Sequence, residues 1–320
     1  MHTLINNKKH CSKGIILAGG TGSRLYPMTK LVNKQLLPLY DKPVIYYSLT
    51  TLMLAGIRDI LIICTPYDLP KLIEFLQNGH QWNINLSYAT QVKPSGIPEA
   101  FLIGEEFINN EPIAMILGDN VFHGQGFSSI IHEVANAVQG VHLFAYTVRN
   151  PEDYGVVVLD KKGVPIEIEE KPKNPKSNQA VTGLYFYDNN VVTIAKSLKP
   201  SKRGELEITD INRVYIKNGL ATVHVLNRGF AWFDVGTPEA LAKASQYIQV
   251  LEDRQDIAIA CPEEVAWRMG WIDEKILANI TADLPNSKYK NYLIDLLNTS
   301  QNENEYVGTY MTRKLLRNEL

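Results

Sequence analysis

The sequence predicts an α/β fold in which a mixed, mostly parallel sheet is flanked by helices and followed by a helical C-terminal appendage. Two observations predict this class. Apolar runs of strand length alternate with segments of helical spacing along most of the chain, as in sheets covered by helices. Several of these runs, such as residues 60–64, are apolar at every position, which is typical of strands buried on both faces.

The strands are predicted from short apolar runs bounded by glycine, proline or polar residues. They cover residues 15–18, 60–64, 86–89, 113–117, 143–148, 156–159, 164–168, 183–187 and 221–226. The sequence Asp160-Lys161-Lys162-Gly163 is a turn signal between two of these runs. We therefore expect residues 156–168 to form a hairpin.

The helices are predicted from apolar side chains at helical spacing. They cover residues 44–54, 71–77, 100–107, 127–138, 191–197, 207–217 and 237–251, and the pattern from 262 onward is again helical. Gly56 suits the end of the first helix, and Thr237-Pro238-Glu239 suits the start of the long one. We divide the chain into a polar leader (1–12), an α/β domain (13–252), a helical region (253–298) and a polar tail (299–320).

Length, composition and charge limit the classes of function. The 320 residues can bury a full core, and 45% hydrophobic with 21% charged residues is typical of a soluble globular protein. A formal net charge of −2 gives no electrostatic case for nucleic acid, and no apolar run reaches the roughly 18 residues of a membrane span. Cys11, Cys64 and Cys261 lack metal-site spacing and indicate thiols in a reducing compartment. We therefore expect a cytoplasmic protein that binds neither nucleic acid nor membrane.

A glycine-rich turn follows the first predicted strand. The strand leads into Gly19-Gly20-Thr21-Gly22-Ser23-Arg24, and Lys34 comes soon after. Glycine lets a phosphate approach the main chain, so that several N–H groups converge on one anion, and Arg24 and Lys34 add positive charge. The spacing matches neither the P-loop nor the dinucleotide fingerprint, which disfavours a dehydrogenase. The turn is interpreted as a triphosphate loop, with a purely structural turn as the alternative.

Charged residues also lie at other predicted strand ends. Asp119 follows the strand at 113–117, and Asp234 lies in Ala231-Trp232-Phe233-Asp234-Val235-Gly236. Ligands of open α/β sheets bind at the carboxyl ends of strands, and Mg²⁺ needs few protein oxygens, so the two aspartates are candidate Mg²⁺ ligands. Glu169-Glu170-Lys171-Pro172 and Arg203 are candidates for holding a sugar phosphate. A helix cap or turn for the aspartates, and an exposed charge cluster for the others, remain the alternatives.

Five motifs, in this order along the chain, resemble those of the sugar-1-phosphate nucleotidylyltransferases. They are Gly19-Gly20-Thr21-Gly22-Ser23-Arg24-Leu25, Lys34-Gln35-Leu36-Leu37-Pro38, Gly118-Asp119-Asn120, Glu169-Glu170-Lys171-Pro172 and Gly204-Glu205-Leu206-Glu207-Ile208-Thr209-Asp210. The resemblance extends from about residue 13 to past residue 272. It implies the Rossmann-like fold of nucleotide-diphospho-sugar transferases. It also implies Mg²⁺-assisted transfer of a deoxythymidylyl group from dTTP to glucose 1-phosphate, with release of pyrophosphate, in a pathway to rhamnose and related deoxysugars.

The resemblance also implies a role for each matched residue. The nucleotide would be bound by Gly19, Gly20, Thr21, Gly22, Arg24, Gln91 and Gly96. The hexose and its phosphate would be bound by Tyr154, Gly155, Glu170, Lys171, Val181 and Arg203. Arg24 and Lys34 would act on the reacting phosphates, Asp119 and Asp234 would bind Mg²⁺, and Trp232 would pack beside the metal. The family is typically a homotetramer with nucleotide-sugar feedback at a second site, to which Arg254 and Arg268 are assigned.

The chain departs from the family pattern at two places. Ser23 replaces the usual threonine and keeps the hydroxyl. Over residues 95–100, relatives usually read close to D-G-L-A-Q-A, whereas Ser95, Ile97, Pro98 and Glu99 differ here. Because this loop borders the nucleotide, use of UTP or of another hexose 1-phosphate is the alternative within the same class. A non-catalytic nucleotide-sugar sensor is the alternative from another class.

Overall fold

The computed structural model describes residues 9–20, 22–202 and 204–301. The strands within these ranges are β1 (Lys13–Ala18), β2 (Pro38–Leu39), β3 (Lys42–Pro43), β4 (Asp59–Cys64), β5 (Asn85–Thr90), β6 (Ile113–Leu117), β7 (Asn120–Gly124), β8 (Val141–Thr147), β9 (Gly155–Leu159), β10 (Pro165–Glu170), β11 (Gln179–Tyr187), β12 (Ala221–Leu226) and β13 (Phe230–Asp234). The helices are α1 (Ile45–Leu54), α2 (Leu69–Leu76), α3 (Glu99–Ile103), α4 (Glu105–Ile108), α5 (Phe127–Asn136), α6 (Val191–Ser197), α7 (Ile208–Lys217), α8 (Pro238–Gln255), α9 (Pro262–Arg268), α10 (Glu274–Asp283) and α11 (Lys288–Gln301).

A nine-stranded mixed sheet forms the centre of the protein. Its strand order is β10-β9-β11-β6-β1-β4-β5, and β8 and β12 extend it from β11. Strands β5, β4, β1 and β6 are parallel, whereas β11 is antiparallel to β6, β8 and β9. The predicted α/β class with helices around a mixed sheet is confirmed. Because β1, β4 and β6 end at the same edge, the residues that follow them gather there.

Both faces of the sheet are covered, which explains the continuous apolar runs. In β1, Ile16 packs on one face in a cluster with Leu49 of α1. The next residues along the strand alternate, so that Ile15 and Leu17 pack on the opposite face in a cluster with Phe101 of α3. All three isoleucine and leucine side chains of β1 are therefore buried.

Two predicted helices are shorter or broken in the structure. The helix expected at 100–107 divides into α3 and α4 at Gly104, where an added Cβ would lie 3.1 Å from Ile15 Cδ1 and 3.2 Å from Leu61 Cδ2. Glycine permits this close approach to β1 and β4 but is a poor helix former. The helix expected at 127–138 ends at Asn136, because Val138 instead exchanges backbone hydrogen bonds of 3.0 and 3.2 Å with Lys9. The end of the polar leader thus joins the fold.

The antiparallel pair β7–β13 was not predicted. Its register places Asp234 opposite Asn120, next to the end of β6. The remaining C-terminal helices pack on the α/β part, where α9 contacts α1 and Trp82 Nε1 donates to Glu263 Oε1 at 3.1 Å. Helix α8 continues to Gln255, past the domain boundary expected at 252. Across the described ranges, none of the helices combines the length and apolarity that a bilayer crossing requires.

Candidate active site

A cleft of about 410 Å³ lies at the carboxyl ends of the parallel strands. It brings together most of the residues predicted to form the site. These are Gly19, Gly20, Arg24, Lys34, Gln91, Gly96, Asp119, Tyr154, Gly155, Glu170, Lys171, Val181, Trp232 and Asp234. Gly22 lies behind this lining, and Thr21 and Arg203 lie outside the described residues.

The glycine-rich loop turns sharply after β1. Gly20 and Gly22 have φ of +93° and +59°, a region that favours glycine. An added Cβ at Gly22 would lie 2.7 Å from Thr29 Cγ2, while Thr29 Oγ1 donates to Gly22 O at 2.8 Å. No described atom lies within 4 Å of a Cβ at Gly20. The loop is thus held from behind and open in front, and it ends in a short 3₁₀ turn that carries Arg24.

Lys34 is held by a neighbour that the sequence analysis missed. Lys34 begins a 3₁₀ turn capped by Asn33, whose Oδ1 accepts from Gln35 N at 2.8 Å. Asn33 Nδ2 donates to Ala18 O at 3.3 Å and to Asp68 Oδ2 at 2.7 Å. Asn33 therefore ties Lys34 to the end of β1. Its buried position could have been suspected only from its place before a short turn.

Two carboxylates and two cations meet at the centre of the cleft. Lys34 Nζ hydrogen-bonds to Asp119 Oδ2, and Arg24 Nη2 lies 4.0 Å from Asp234 Oδ2. Asp119 and Lys34 are largely buried, whereas the Arg24 side chain is 65% exposed. An added Cβ on Gly236 would lie 2.5 Å from Arg24 Nη2, so the glycine leaves room for the guanidinium beside Asp234.

The two aspartates have opposite pKa shifts. Burial alone would raise the pKa of Asp119, but the charge of Lys34 and the hydrogen bonds from Lys34 and Asn120 together outweigh it and hold that pKa below its usual value. Burial and the negative charge of Asp119 raise the pKa of Asp234 to about 6, against the opposing effect of Arg24. Two like charges close together in a buried site favour the uptake of a cation.

The donor set fits a magnesium ion better than a metal held entirely by protein. No group of three or more His, Cys, Asp or Glu side chains with metal-site geometry occurs in the part of the chain that the structure describes. Mg²⁺ usually binds through one or two carboxylates and completes its octahedron with water and substrate phosphate oxygens. The pair Asp119 and Asp234, with the repulsion that raises the pKa of Asp234, fits that requirement.

Asn120 positions this pair, although no role was predicted for it. Its Oδ1 accepts from Trp232 Nε1 at 2.7 Å and from Gly183 N at 2.9 Å, and its Nδ2 donates to Asp119 Oδ1 at 3.3 Å. An added Cβ at Gly183 would lie 2.7 Å from the Asn120 side chain. The ring of Trp232 in turn packs edge-on against Tyr154, with centroids 5.3 Å apart. Asn120 thus joins β6, β11 and β13 around the aspartates.

The hairpin β9–β10 supplies the opposite wall of the cleft. Glu170 Oε2 accepts from Thr209 Oγ1 of α7 at 2.5 Å. A Cβ on Gly155 would lie 3.2 Å from Glu170 Oε2, so the glycine leaves room for this carboxylate. Lys171 has a φ of +44°, a strained conformation for a residue other than glycine, and its N–H donates to Tyr154 O at 2.9 Å. The turn directs an exposed lysine to the rim of the cleft.

The two walls are joined through Gly96. Leu206 N donates to Ser95 O at 2.8 Å, and residues 96 and 206 form an isolated β-bridge. A Cβ at Gly96, where φ is +104°, would lie 2.0 Å from Leu206 O. The loop that carries Gln91 and Gly96 is therefore attached to the loop before α7. This contact could not be predicted from the sequence, since no local pattern indicates that two loops pair.

A second cavity of about 220 Å³ lies between α1, β7 and α9. Arg268 lines it and pairs with Glu264, with Nε 2.6 Å from Oε1. Arg254 does not line it and is exposed near the end of α8. Of the two arginines assigned to one regulatory site, Arg268 therefore lines this cavity and Arg254 does not.

Comparisons with known proteins agree with the geometry of the cleft. A glucose-1-phosphate thymidylyltransferase of Neisseria meningitidis is 51% identical over 285 residues, which are 89% of this chain and 99% of that protein. The Mycobacterium tuberculosis protein of the same name has the same identity and coverage. A solved structure from Bacillus anthracis, described as a glucose-1-phosphate thymidylyltransferase in complex with sucrose, is 43% identical with a TM-score of 0.68, over 73% of this chain and 94% of that one.

The family assignment follows from these matches. A UDP-glucose pyrophosphorylase complexed with UDP-glucose also has the fold, with a TM-score of 0.66 and 27% identity over 75% of this chain and 99% of that one. The sequence profile described as nucleotidyl transferase matches residues 13–250. The predicted resemblance to sugar-1-phosphate nucleotidylyltransferases is thereby confirmed. The chain belongs to the nucleotidyl transferase family.

Proposed function

We propose that the protein transfers the deoxythymidylyl group of dTTP to glucose 1-phosphate and releases pyrophosphate. The observation that carries this proposal is the meeting of Arg24, Lys34, Asp119, Asp234 and Lys171 in one cleft. A sensor would need to bind a nucleotide sugar but has no need of two cations and two carboxylates at the point where two polyanions would meet. The names of the relatives at about 50% identity support these two substrates.

The reaction needs positioning and charge neutralisation rather than a general base. A phosphate oxygen of the sugar phosphate is already ionised and attacks the α-phosphorus of dTTP directly. The new bond joins that oxygen to the α-phosphorus, and the bond from the α-phosphorus to the oxygen bridging to the β-phosphate breaks. Pyrophosphate leaves with that electron pair. Among the described residues that line the cleft there is neither a Cys nor a Ser/His pair, and this chemistry requires neither.

The residues of the cleft divide into two halves around the reacting phosphorus. The N–H groups of residues 19–22 and Arg24 would hold the triphosphate, and Lys34 would lie beside the α-phosphate. Glu170 would accept a hydrogen bond from a hexose hydroxyl, and Lys171 would hold the sugar phosphate together with Arg203. Fixing both ligands in one cleft aligns the attacking oxygen with the leaving pyrophosphate.

We further propose Mg²⁺ as the cofactor, held by Asp119 and Asp234. When bound, it would neutralise charge on the phosphates as a Lewis acid. Lys34, which hydrogen-bonds to Asp119 through its ammonium group, would keep further N–H donors for a phosphate oxygen.

The proposal is tested by measuring pyrophosphate release from each NTP and dNTP against several hexose 1-phosphates, with Mg²⁺ and with EDTA. We expect dTTP and glucose 1-phosphate to give the highest kcat/KM, and EDTA to abolish release. UTP as the preferred nucleotide would support the alternative within the family. Pyrophosphate release from none of the pairs, with tight binding of a nucleotide sugar, would favour the sensor.

Regulation, assembly and location are the remaining parts of the proposal. We propose that the second cavity takes the nucleotide-sugar product as a feedback ligand, with Arg268 as its phosphate partner. We also propose a homotetramer in the cytoplasm, in keeping with the buried, free thiols of all three cysteines. We expect Arg268→Ala to weaken feedback inhibition without changing the uninhibited rate. We expect light scattering to give the mass of a tetramer. Unaltered inhibition in that variant would exclude this cavity.

A further inference from the structure

The Gln91 side chain is held by hydrogen bonds at the nucleotide end of the cleft. Gln91 follows β5, its N–H donates to Cys64 O at 2.8 Å, and its side chain is buried. The amide Nε2 donates to Glu99 Oε2 at 2.7 Å and to Gly96 O at 3.2 Å. Both hydrogens of the amide nitrogen are therefore used within the protein.

These partners determine the direction of the amide. The carbonyl oxygen of Gly96 and the ionised carboxylate of Glu99 can only accept hydrogen bonds. Turning the Gln91 amide by half a revolution would place its oxygen against two acceptors and lose both hydrogen bonds. The nitrogen must therefore face Glu99, and Oε1 must face the other way.

The oxygen that remains faces the cleft. A Cβ on Gly19 would lie 2.8 Å from Gln91 Oε1, and both residues line the cleft. In the ranges that the structure describes, no hydrogen bond to Oε1 occurs within the protein. The site thus presents a hydrogen-bond acceptor beside the glycine-rich loop.

We propose that Glu99 is a positioning residue that fixes Gln91 as an acceptor and thereby selects a base that presents an N–H group, as the imide N3–H of thymine or uracil does. Glu99 does not line the cleft and acts only through Gln91. Glutamine can donate as well as accept, so it would not force one direction on the neighbouring amide. This inference rests on the proposed function and specifies the substrate class of its nucleotide half.

The test compares dTTP with an analogue whose base is 5-methylpyrimidin-2-one, which carries a lone pair and no hydrogen at N3. Because the analogue leaves Oε1 without a donor, we expect the unaltered protein to prefer dTTP by about 100-fold in kcat/KM. In Glu99→Gln the amide of Gln91 can turn and donate to the lone pair, losing only its hydrogen bond to Gly96 O, so the preference is expected to fall about 10-fold. In Glu99→Met, which offers no strong acceptor, it is expected to fall further. The value of kcat at saturating dTTP is expected to stay within about twofold, because the contact acts on the base and not on the reacting phosphates.

A matched control is Glu106→Gln, the same change at an exposed position on α4 away from the cleft, which is expected to leave the preference unchanged. Binding of both nucleotides without sugar phosphate is measured by calorimetry for each protein. Loss of the binding preference in the Glu99 variants supports the inference even if no turnover occurs, in which case only the proposed reaction fails. An unchanged preference in both Glu99 variants, with dTTP turnover retained, overturns the role of Glu99 and leaves the proposed reaction standing.

Discussion

Lys34 is the cation that lies deepest between the glycine-rich loop and the buried aspartates. It hydrogen-bonds to Asp119, and its charge also lowers the pKa of Asp234. The turn that carries it is tied to β1 through Asn33. A lysine fixed in this way is already in position when charge develops on a nearby phosphate, so the site needs little reorganisation.

Replacing Lys34 with alanine is therefore expected to lower kcat by on the order of 10²–10³-fold while the fold is retained. Steady-state pyrophosphate release and circular dichroism check both parts. Lys30→Ala, an exposed lysine in the neighbouring 3₁₀ turn, is the control and is expected to be near normal. Near-normal turnover of Lys34→Ala would remove Lys34 from the reaction.

The half-buried histidine pair His142 and His224 makes stability depend on pH. His224 Nε2 lies 3.0 Å from His142 Nδ1, and the His224 ring stacks on Phe144. Burial lowers the pKa of His224, with a smaller opposing effect from the charge of Glu133. Below the ordinary histidine pKa of about 6.5, the unfolded chain binds a proton at His224 that the folded protein resists, so stability falls as the pH falls through this window.

We expect His224→Gln to flatten the loss of stability between about pH 7 and pH 5, as measured by the urea midpoint at each pH. His80→Gln, which changes an exposed histidine, is expected to keep the slope of the unaltered protein. Equal slopes for His224→Gln and the unaltered protein would assign the pH dependence to other groups.

Residues of the site could be predicted from the sequence where the residue type itself indicates the chemistry. Glycines after a strand, and Arg24, Lys34 and Asp119 beside them, are the groups that phosphate and metal chemistry requires. Asn33 and Asn120 could not be predicted, because asparagine is common in turns and its role depends on the groups it meets in the fold. Asn120 meets Trp232 and Gly183, which are distant in sequence.

At the scale of elements, the contact between Gly96 and Leu206 joins the two walls of the cleft. Replacing Gly96 with alanine places a Cβ 2.0 Å from a backbone oxygen that cannot move away easily. We expect this variant to raise KM for both substrates and to destabilise the protein by about 1–3 kcal/mol. Substrate saturation curves and urea unfolding measure the two effects.

The matched control for that variant is Gly163→Ala in the β9–β10 hairpin. Gly163 also has a positive φ, of +81°, but no described atom lies within 4 Å of its added Cβ. The Gly163→Ala variant has the strain of an alanine with positive φ but no clash with a neighbouring atom, so KM is expected to stay unchanged. Equal KM values for the two variants would mean that the contact of Gly96 with Leu206 does not shape the site.

The elements themselves were predictable in the parallel part of the sheet and less so outside it. The apolar runs of β1, β4 and β6 are buried on both faces, and each strand could be predicted from the sequence alone. Strands β7 and β13 mix aromatic, polar and glycine residues and are stabilised by pairing with each other across a long separation. Long-range pairing of that kind leaves no periodic signal.

At the scale of the whole molecule, a buried ion pair holds two parts of the protein together, the β2–β3 hairpin and α8, at the boundary with the C-terminal region. Lys42 Nζ lies 2.9 Å from Glu252 Oε1, which also accepts from Ile259 N at 2.7 Å. Burial raises the pKa of Glu252, and the charge of Lys42 offsets part of that effect. The pair thus links the hairpin that follows Lys34 to the segment bordering the second cavity.

Replacing Lys42 with methionine leaves the carboxylate of Glu252 buried without its cation, which is expected to cost about 3–5 kcal/mol in the free energy of unfolding. The double variant with Glu252→Leu is expected to recover part of the loss. Lys176→Met breaks an exposed ion pair with Glu167 and is expected to have little effect. Equal urea midpoints for the Lys42 and Lys176 variants would mean that the buried pair does not hold the two parts together.

The most direct test of the proposed reaction follows the atoms. Glucose 1-phosphate labelled with ¹⁸O in its phosphate is incubated with dTTP, Mg²⁺ and the protein, and the products are analysed by ³¹P NMR. We expect dTDP-glucose that retains the label, including in the oxygen between its two phosphorus atoms, together with unlabelled pyrophosphate. Formation of no nucleotide sugar, or the appearance of the label in pyrophosphate, would contradict attack of the sugar phosphate on the α-phosphorus.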